Sequence, residues 1–301
     1  MYFPIAEIHA NPYIIFFTAL VVSFFTSMGG VSGAFLLLPF QMSVLGYTTP
    51  SVSATNHVFN IVAIPSGVYR YIKEKRMLWP LAREIIIGTL PGVFIGAWIR
   101  IEYLPDPKNF KMFAGLVLLY IGWKLLKDMI KGIRNKKGKN HQATAMDFHS
   151  LVVTESSFRK VSFTYRGELH SYKPLTIYSI CFLVGIIGGI YGIGGGSIVA
   201  PILVTIIGLP VHVIAGAALL GTFATSVSGV IFYHFLASLY PQMAVSPDWV
   251  LGALFGFGGF MGMYLGARAQ KYVQPVYIKG ILTCCILFIA FKYILVFFIK
   301  I

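Results

Sequence analysis

Two long stretches without a charged side chain constrain this chain more than any other feature. No Asp, Glu, Lys or Arg occurs between Ile8 and Tyr69, or between Pro174 and Pro247. Because roughly 20 apolar residues cross a bilayer core, each stretch holds more than one crossing. Charged residues make up 11% of the 301 residues, whereas a soluble domain has about 25%. The sequence therefore predicts an all-α integral membrane protein.

A glycine cluster followed by proline occurs twice and indicates an internal repeat. Several features recur in the same order in both halves, which favours duplication over chance. The matched pairs are residues 28–34 with 189–197, Pro39 with Pro201, Gly46 with Gly208, Trp79 with Trp249, and residues 88–97 with 258–267.

Each half reads as a glycine-broken stretch followed by three longer apolar segments. The broken stretches cover 13–46 and 175–209. Their arms of roughly 15 residues give about 23 Å of helix, which is short for a core of about 30 Å. Re-entrant half-helices and two thin crossings both remain open, and both return the chain to the face that it left. Each half then crosses an odd number of times, so we expect two inverted repeats. The longer segments are 51–71, 84–101, 110–130, 211–238, 249–267 and 277–299.

The basic residues test this topology, since they collect in cytoplasmic loops. With the N-terminus outside, the loops at 102–109 and 239–248 also lie outside and contain one basic residue, Lys108. Opposed halves of this kind occur in secondary transporters of the cell membrane. The basic residues then placed inside are Lys73, Lys75, Arg76, Arg83, Lys127, Lys131, Arg134, Lys136, Lys137, Lys139, Arg268 and Lys271.

Three parts follow: membrane repeat 1 over 1–130, a cytoplasmic basic insertion over 131–173, and membrane repeat 2 over 174–301. In the insertion, the polar, basic run Gly132–Gln142 predicts a linker. Val161–Tyr165 alternates apolar and polar residues before Arg166–Gly167, which predicts a β-hairpin. We favour a connector over a regulatory module. The net charge of +14 fits cytoplasmic loops and anionic lipid better than nucleic acid.

Acidic residues are absent from the centres of the predicted membrane segments. Glu84 lies near a helix start and Asp128 near a helix end. Buried carboxylates are common in proton relays and cation pathways, so a cation transporter is disfavoured. The sequence also lacks a nucleophile elbow, a zinc signature and cysteines at metal-ligand spacing. We therefore predict neither an enzyme nor a metal or cofactor site.

The glycine clusters are candidate anion sites. A helix that begins at a mid-membrane break presents backbone amides and a partial positive charge. Without side chains, a small oxyanion can approach closely. Close helix packing is the alternative role of such glycines. The predicted amide and hydroxyl donors are Ser32, Gly33, Gly195, Gly196 and Ser197.

Polar residues recur just after each broken stretch. Thr55, Asn56, Thr222 and Thr225 are predicted to line the substrate site, and helix-to-helix hydrogen bonding is their alternative role. His57 is a candidate for proton coupling, although a lone buried histidine is more often structural. The other polar residues of these regions are Ser53, Asn60, Ser226 and Ser228.

At these motifs the chain resembles the sulfite exporter TauE/SafE family over nearly its whole length except the insertion. The resemblance rests on Gly192–Ser197 with Pro201, on the weaker copy at 29–33 with Pro39, and on Ala54–Asn56 with Gly221–Thr222. It implies an anion transporter that exports sulfite or related organosulfur anions. Two departures leave the anion open: Phe223 stands where the family often has a small hydroxyl residue, and the first glycine cluster is less rich.

The combined expectation is a secondary transporter that exports a small sulfur-containing oxyanion, above all sulfite, by alternating access. Its partners would be the anion, the lipid bilayer and a coupling proton or ion, and a homo-oligomer is compatible with the sequence. Within transport, the rivals are uptake and another anion such as sulfoacetate or thiosulfate. Outside transport, the rival is a membrane scaffold whose insertion binds a partner.

Overall fold

A computed structural model describes residues 1–28, 31–136, 151–165, 167–209, 211–269 and 275–298. Parts of the predicted motifs lie outside the described residues, namely Gly29, Gly30, Arg166, Lys137, Lys139, Lys271 and most of the predicted linker. The helices of the first half are α1 (Pro12–Met28), α2 (Ala34–Ser43), α3 (Ser51–Lys73), α4 (Trp79–Glu102) and α5 (Pro107–Lys136). Those of the second half are α6 (Pro174–Tyr191), α7 (Gly195–Ile206), α8 (Val211–Leu239), α9 (Trp249–Ala269) and α10 (Pro275–Phe298).

Five of these helices are long and apolar enough to cross a bilayer, as counted over the described residues: α4, α5, α6, α8 and α9. The prediction of a helical, multi-pass membrane protein is therefore confirmed. The 23-residue α3 also has the length of a crossing. Polar residues interrupt its apolar surface, and they contribute to the candidate site described below.

The two halves are interlocked rather than side by side. Helix α1 packs on α9 and α6 packs on α4, so the first helix of each half contacts the fourth helix of the other. Likewise α3 packs on α9 and α8 on α4, while α3 pairs with α8 and α5 with α10. These six pairs are unchanged when α1–α5 are exchanged with α6–α10, whereas the smaller contacts of α7 with α4 and α5 have no counterpart of similar size on α2. Such an exchange is what a two-fold relation between repeats produces.

Glycine stripes on α4 and α9 allow the cross-half contacts to be close. Glycines four residues apart lie along one helix face, and small residues let helix backbones approach in a membrane. A Cβ at Gly92 would lie 2.8 Å from the Ile186 nitrogen, and one at Gly262 would lie 3.0 Å from the Phe24 nitrogen. The segments aligned as a repeat thus make the same kind of contact in each half. The stripes are Gly88, Gly92 and Gly96 on α4, and Gly258, Gly262 and Gly266 on α9.

The strand predicted at Val161–Tyr165 is β4, the centre of a three-stranded antiparallel sheet with β3 (Val152–Ser156) and β5 (Glu168–Tyr172). A short hairpin of β1 (Tyr2–Phe3) and β2 (Ile8–His9) precedes α1. The larger sheet packs on the membrane helices, so even Ser162 is buried. Burial, and then the Glu84 carboxylate beside it, raises the pKa of Tyr172 well above its ordinary value.

Candidate functional site

The two breaks in the membrane helices meet at one side chain of α3. Asn60 donates a hydrogen bond from Nδ2 to the backbone carbonyl of Ile193, in the second break, at 3.2 Å. Ser32, in the first break, donates from Oγ to Oδ1 of the same asparagine. An asparagine amide has both donors and an acceptor, so Asn60 can bridge the two halves.

Two further side chains complete this group. Asn60 Nδ2 also lies 3.1 Å from Oγ of Ser226 on α8, and that hydroxyl lies 3.2 Å from Nδ1 of His57. Ser32, His57, Asn60 and Ser226 are each 0% exposed. We call these four side chains with the Ile193 carbonyl the polar cluster. Within the described residues, His57 Nε2 has no hydrogen-bond partner.

The helical periodicity of α3 explains why these groups converge. Ser53, His57 and Asn60 are four and three residues apart and therefore share a helix face. Ser53 Oγ donates to the Ile190 carbonyl at 3.4 Å. Ile190 precedes Ile193, whose carbonyl Asn60 contacts, by about one helical turn. This face of α3 thus runs along the end of α6 and into the second break.

Side chains organise the first break. Ser32 Oγ accepts the Ala34 amide hydrogen at 3.2 Å and so satisfies the first backbone donor of α2. Further along α2, Gln41 Nε2 donates to Asn56 Oδ1 at 2.7 Å. Gln41 Oε1 and Asn56 Nδ2 are buried without a partner among the described residues. Unsatisfied buried groups are costly, so this amide pair is a place where a polar ligand would be stabilised.

Glycine backbone organises the second break. Gly192 and Gly194 have φ angles of 78° and 72°, a region that other residues rarely adopt. Helix α7 begins after Gly194 without a side-chain cap. A Cβ at Gly196 would overlap the Ala218 carbonyl and lie 2.6 Å from Thr222 Oγ1. The glycine therefore lets α7 lie directly on α8.

The predicted site residues fall into different places. Ser32 belongs to the polar cluster. Gly33 is the residue directly before α2. Asn56 forms the amide pair with Gln41. Thr55 lies 2.8 Å from the Tyr47 hydroxyl and accepts the Asp248 amide hydrogen at 2.9 Å, so it ties two loops together.

The predicted residues of the second half lie along α7 and α8. Thr222 donates to the Ala218 carbonyl at 2.9 Å, and Thr225 donates to the Gly221 carbonyl at 2.8 Å. Ser197 Oγ is 3.2 Å from Thr222 Oγ1. Both threonines thus bond within their own helix, as hydroxyls in membrane helices commonly do.

Sequence analysis gave no site role to Asn60 and Ser226, and it did not single out Gln41. The spacing of Asn60 from His57 and Asn56 was the available signal, since it places all three near one side of α3. No carboxylate belongs to the polar cluster as the described residues define it. In the part of the chain that the structure describes, no group of His, Cys, Asp or Glu side chains could bind a metal ion. Neutral donors with no carboxylate among them suit a small anion.

Comparison with known proteins identifies a family of membrane proteins. The family model described as sulfite exporter TauE/SafE matches residues 15–293. The probable membrane transporter protein YunE of Bacillus subtilis (strain 168) is 24% identical over 270 residues, covering 87% of this chain and 90% of that protein. A probable membrane transporter protein of Xylella fastidiosa (strain 9a5c) is 24% identical over 253 residues, covering 82% and 80%.

No solved structure gives a significant match to the chain. The family match covers both halves and the polar cluster between them. The resemblance seen in the glycine motifs is thereby confirmed, and the chain belongs to the sulfite exporter TauE/SafE family of membrane transporters.

Proposed function

We propose that this membrane transporter exports a small sulfur-containing oxyanion, above all sulfite, and that the anion binds at the polar cluster. The observation that carries the proposal is the meeting of both broken stretches at Asn60. Hydroxyl, amide and imidazole groups there can donate to anion oxygens. The family description supports sulfite as the anion.

Transport would proceed by alternating access. The side chains of the polar cluster are fully buried, so an anion reaches them only when one side of the protein opens. Asn60 contacts both breaks, and rocking of the halves would change its contacts with Ser32 and Ile193. Inverted repeats would make the inward and outward openings structurally equivalent. In this mechanism the odd number of crossings per half supplies the inversion.

The other predicted residues take defined places in this mechanism. Asn56 would bind the anion beside the polar cluster, since its Nδ2 has no partner among the described residues. Gly33, Gly195 and Gly196 would let the half-helix starts approach the anion. The hydroxyls of Thr55, Ser197, Thr222 and Thr225 would hold the surrounding helices and offer donors when the protein opens.

His57 would couple transport to protons. Its Nδ1 is next to Ser226, and Nε2 has no partner among the described residues. A protonated imidazole would offer a second donor and offset the negative charge of the anion. Alternatively, the proton travels on the substrate as bisulfite.

Sulfite flux in proteoliposomes tests the transport function. We expect saturable flux that depends on the pH gradient and is absent from protein-free liposomes. Competition by thiosulfate and sulfoacetate would rank the anions. A protein that is monodisperse after reconstitution yet gives no saturable flux of any of the three would contradict the proposal and favour the scaffold.

Labelling of introduced cysteines tests the inversion. In a background in which Cys181, Cys284 and Cys285 are replaced by Ala, Asn135→Cys and Ala244→Cys place single labels on the insertion and on the loop before α9. An impermeant thiol reagent should modify them from opposite faces, because the proposed topology puts residue 135 inside and residue 244 outside. Modification of both from one face would rule out the inverted arrangement.

A further inference from the structure

A fully buried arginine lies near the end of α4. Arg100 is 0% exposed. Its Nη1 donates to the Leu104 carbonyl, and the guanidinium lies 3.8 Å from the centre of the Phe110 ring. Among the described residues, Nε and Nη2 have no hydrogen-bond partner. Within this part of the chain, two nitrogen atoms of a buried cation are therefore left without an acceptor.

Among the residues that the structure describes, Arg100 also forms no ion pair. Within the described residues, the carboxylates in ion pairs belong to Glu74 and Glu168, which pair with Arg70, Arg76 and His170. Glu102, two residues from Arg100, is exposed and accepts a hydrogen bond from Tyr240 at 2.7 Å. Burying an uncompensated ion costs several kcal/mol. One carbonyl and one aromatic face offset only part of that cost.

Polar residues connect Arg100 with the polar cluster. Tyr233 on α8 is fully buried, its ring centre lies 5.9 Å from that of His57, and it is close enough to Arg100 for the two to interact electrostatically. Ala97 and Ile101, which flank Arg100 on α4, pack in the same cluster as Tyr233. Arg100 is thus one side chain removed from His57.

We infer that Arg100 is a second anion-binding position, where a small oxyanion stops between the polar cluster and the end of α4. A guanidinium presents N–H groups in a fixed fork that matches two oxygens of an oxyanion. The free Nε and Nη2 groups are the neighbouring pair that such a fork uses. The inference rests on the proposed function, because the anion is the transported one.

Binding measured without transport tests this position. The protein is purified Asn60→Ala, in which the polar cluster is disabled. Its thermal unfolding midpoint is measured at increasing sulfite concentrations in gluconate buffer of fixed ionic strength. We expect a midpoint increase of a few degrees in Asn60→Ala and none in Asn60→Ala/Arg100→Gln. Equal increases in both proteins, or none in Asn60→Ala, would overturn the inference.

The single variants give a second measurement. Without anion, Arg100→Gln should unfold no lower than the wild type, because it removes an unpaired charge. Its KM for sulfite should rise about 10-fold, a loss of about 1.4 kcal/mol. The KM of Arg100→Lys should lie between those of the wild type and Arg100→Gln. An unchanged KM in Arg100→Gln would overturn the inference. A wild type that shows the binding shift but no flux would count against the proposed function alone.

Discussion

The two broken stretches have the same place in the fold but are built from different chemistry. In the first, Ser32 accepts the first amide hydrogen of α2 and contacts Asn60, while Gln41 and Asn56 form a buried amide pair. In the second, the chain turns through two glycines with positive φ, and the Ile193 carbonyl faces Asn60. Side chains therefore shape the described part of the first break, and backbone shapes the second.

This difference suggests a division of work between the halves. A side-chain site can change its ligand preference by single substitutions, because its donors belong to individual residues. A backbone site depends on the helices lying close together, so most substitutions there disturb packing. We therefore expect substitutions in the first break to change transport and those in the second to change stability.

The largest effect should come from adding a methyl group to each half-helix start. Gly196→Ala should destabilise the protein by about 3 kcal/mol, since the new Cβ would overlap the rigid Ala218 carbonyl. Gly33→Ala should cost about 1 kcal/mol, because its Cβ would meet mainly the Ser23 side chain, which can rotate. Thermal unfolding in detergent, followed by size-exclusion chromatography, measures both. Equal losses would remove the proposed contrast between the breaks.

Removing a hydroxyl from each break should affect transport unequally. Ser32→Ala removes the acceptor of the Ala34 amide hydrogen and a contact with Asn60, so kcat/KM for sulfite should fall about 10-fold. Ser197→Ala loses contacts of 3.4 Å with the Ile193 carbonyl and 3.2 Å with Thr222 Oγ1. Its kcat/KM for sulfite should therefore fall less than about 3-fold. Initial flux at several sulfite concentrations gives both values. A larger loss for Ser197→Ala would reverse the assignment of the two breaks.

The histidine of the polar cluster should control the pH response. His57→Gln keeps a group that can bond Ser226 but cannot carry a proton charge, so flux should fall about 3-fold and its pH profile should flatten. The buried neighbours of His57 with a titratable or charged group are Tyr233 and, beyond it, Arg100. His234→Gln is the matched control, because His234 is exposed on α8. A wild-type pH profile in His57→Gln would assign the proton to the substrate.

The smallest difference between the halves should come from the glycines that follow α2 and α7. Gly46 and Gly208 follow α2 and α7 with φ angles of 71° and 77°, and a Cβ at either would meet nothing within 4 Å. Gly46→Ala and Gly208→Ala should each cost about 1 kcal/mol from backbone strain alone. The thermal unfolding midpoints of the two variants measure these losses of stability. A clear difference between them would show that the aligned glycines are not equivalent.

Much of the fold was predictable because membrane insertion imposes length and polarity rules on single segments. The charge-free stretches and the glycine-proline motifs locate α1, α2, α6 and α7 to within a few residues. The start of α4 was placed at residue 84 but lies at Trp79, where Pro80 suits the first turn of a helix. Strand β3 was missed because its exposed residues, Val152–Ser156, carry no alternating pattern.

The candidate site was only partly predictable because it depends on distant contacts. Asn60 meets Ile193 across 133 residues of chain, and local spacing cannot report such a pair. Thr55 and Asn56 were grouped because they are adjacent, yet neighbours on a helix point about 100° apart. Asn56 therefore faces Gln41 while Thr55 faces the loop before α9. Sequence analysis assigned no role to Arg100, and its complete burial in the structure is what singles it out.

The central claim is that one anion site lies where the two breaks meet at Asn60. The most direct test compares sulfite counterflow in proteoliposomes containing wild-type protein or Asn60→Ala, with Ser228→Ala, an α8 hydroxyl outside the polar cluster, as the control. We predict that Asn60→Ala folds and reconstitutes but transports at least about 10-fold more slowly, while Ser228→Ala matches the wild type. Wild-type counterflow in a monodisperse Asn60→Ala protein would contradict the account.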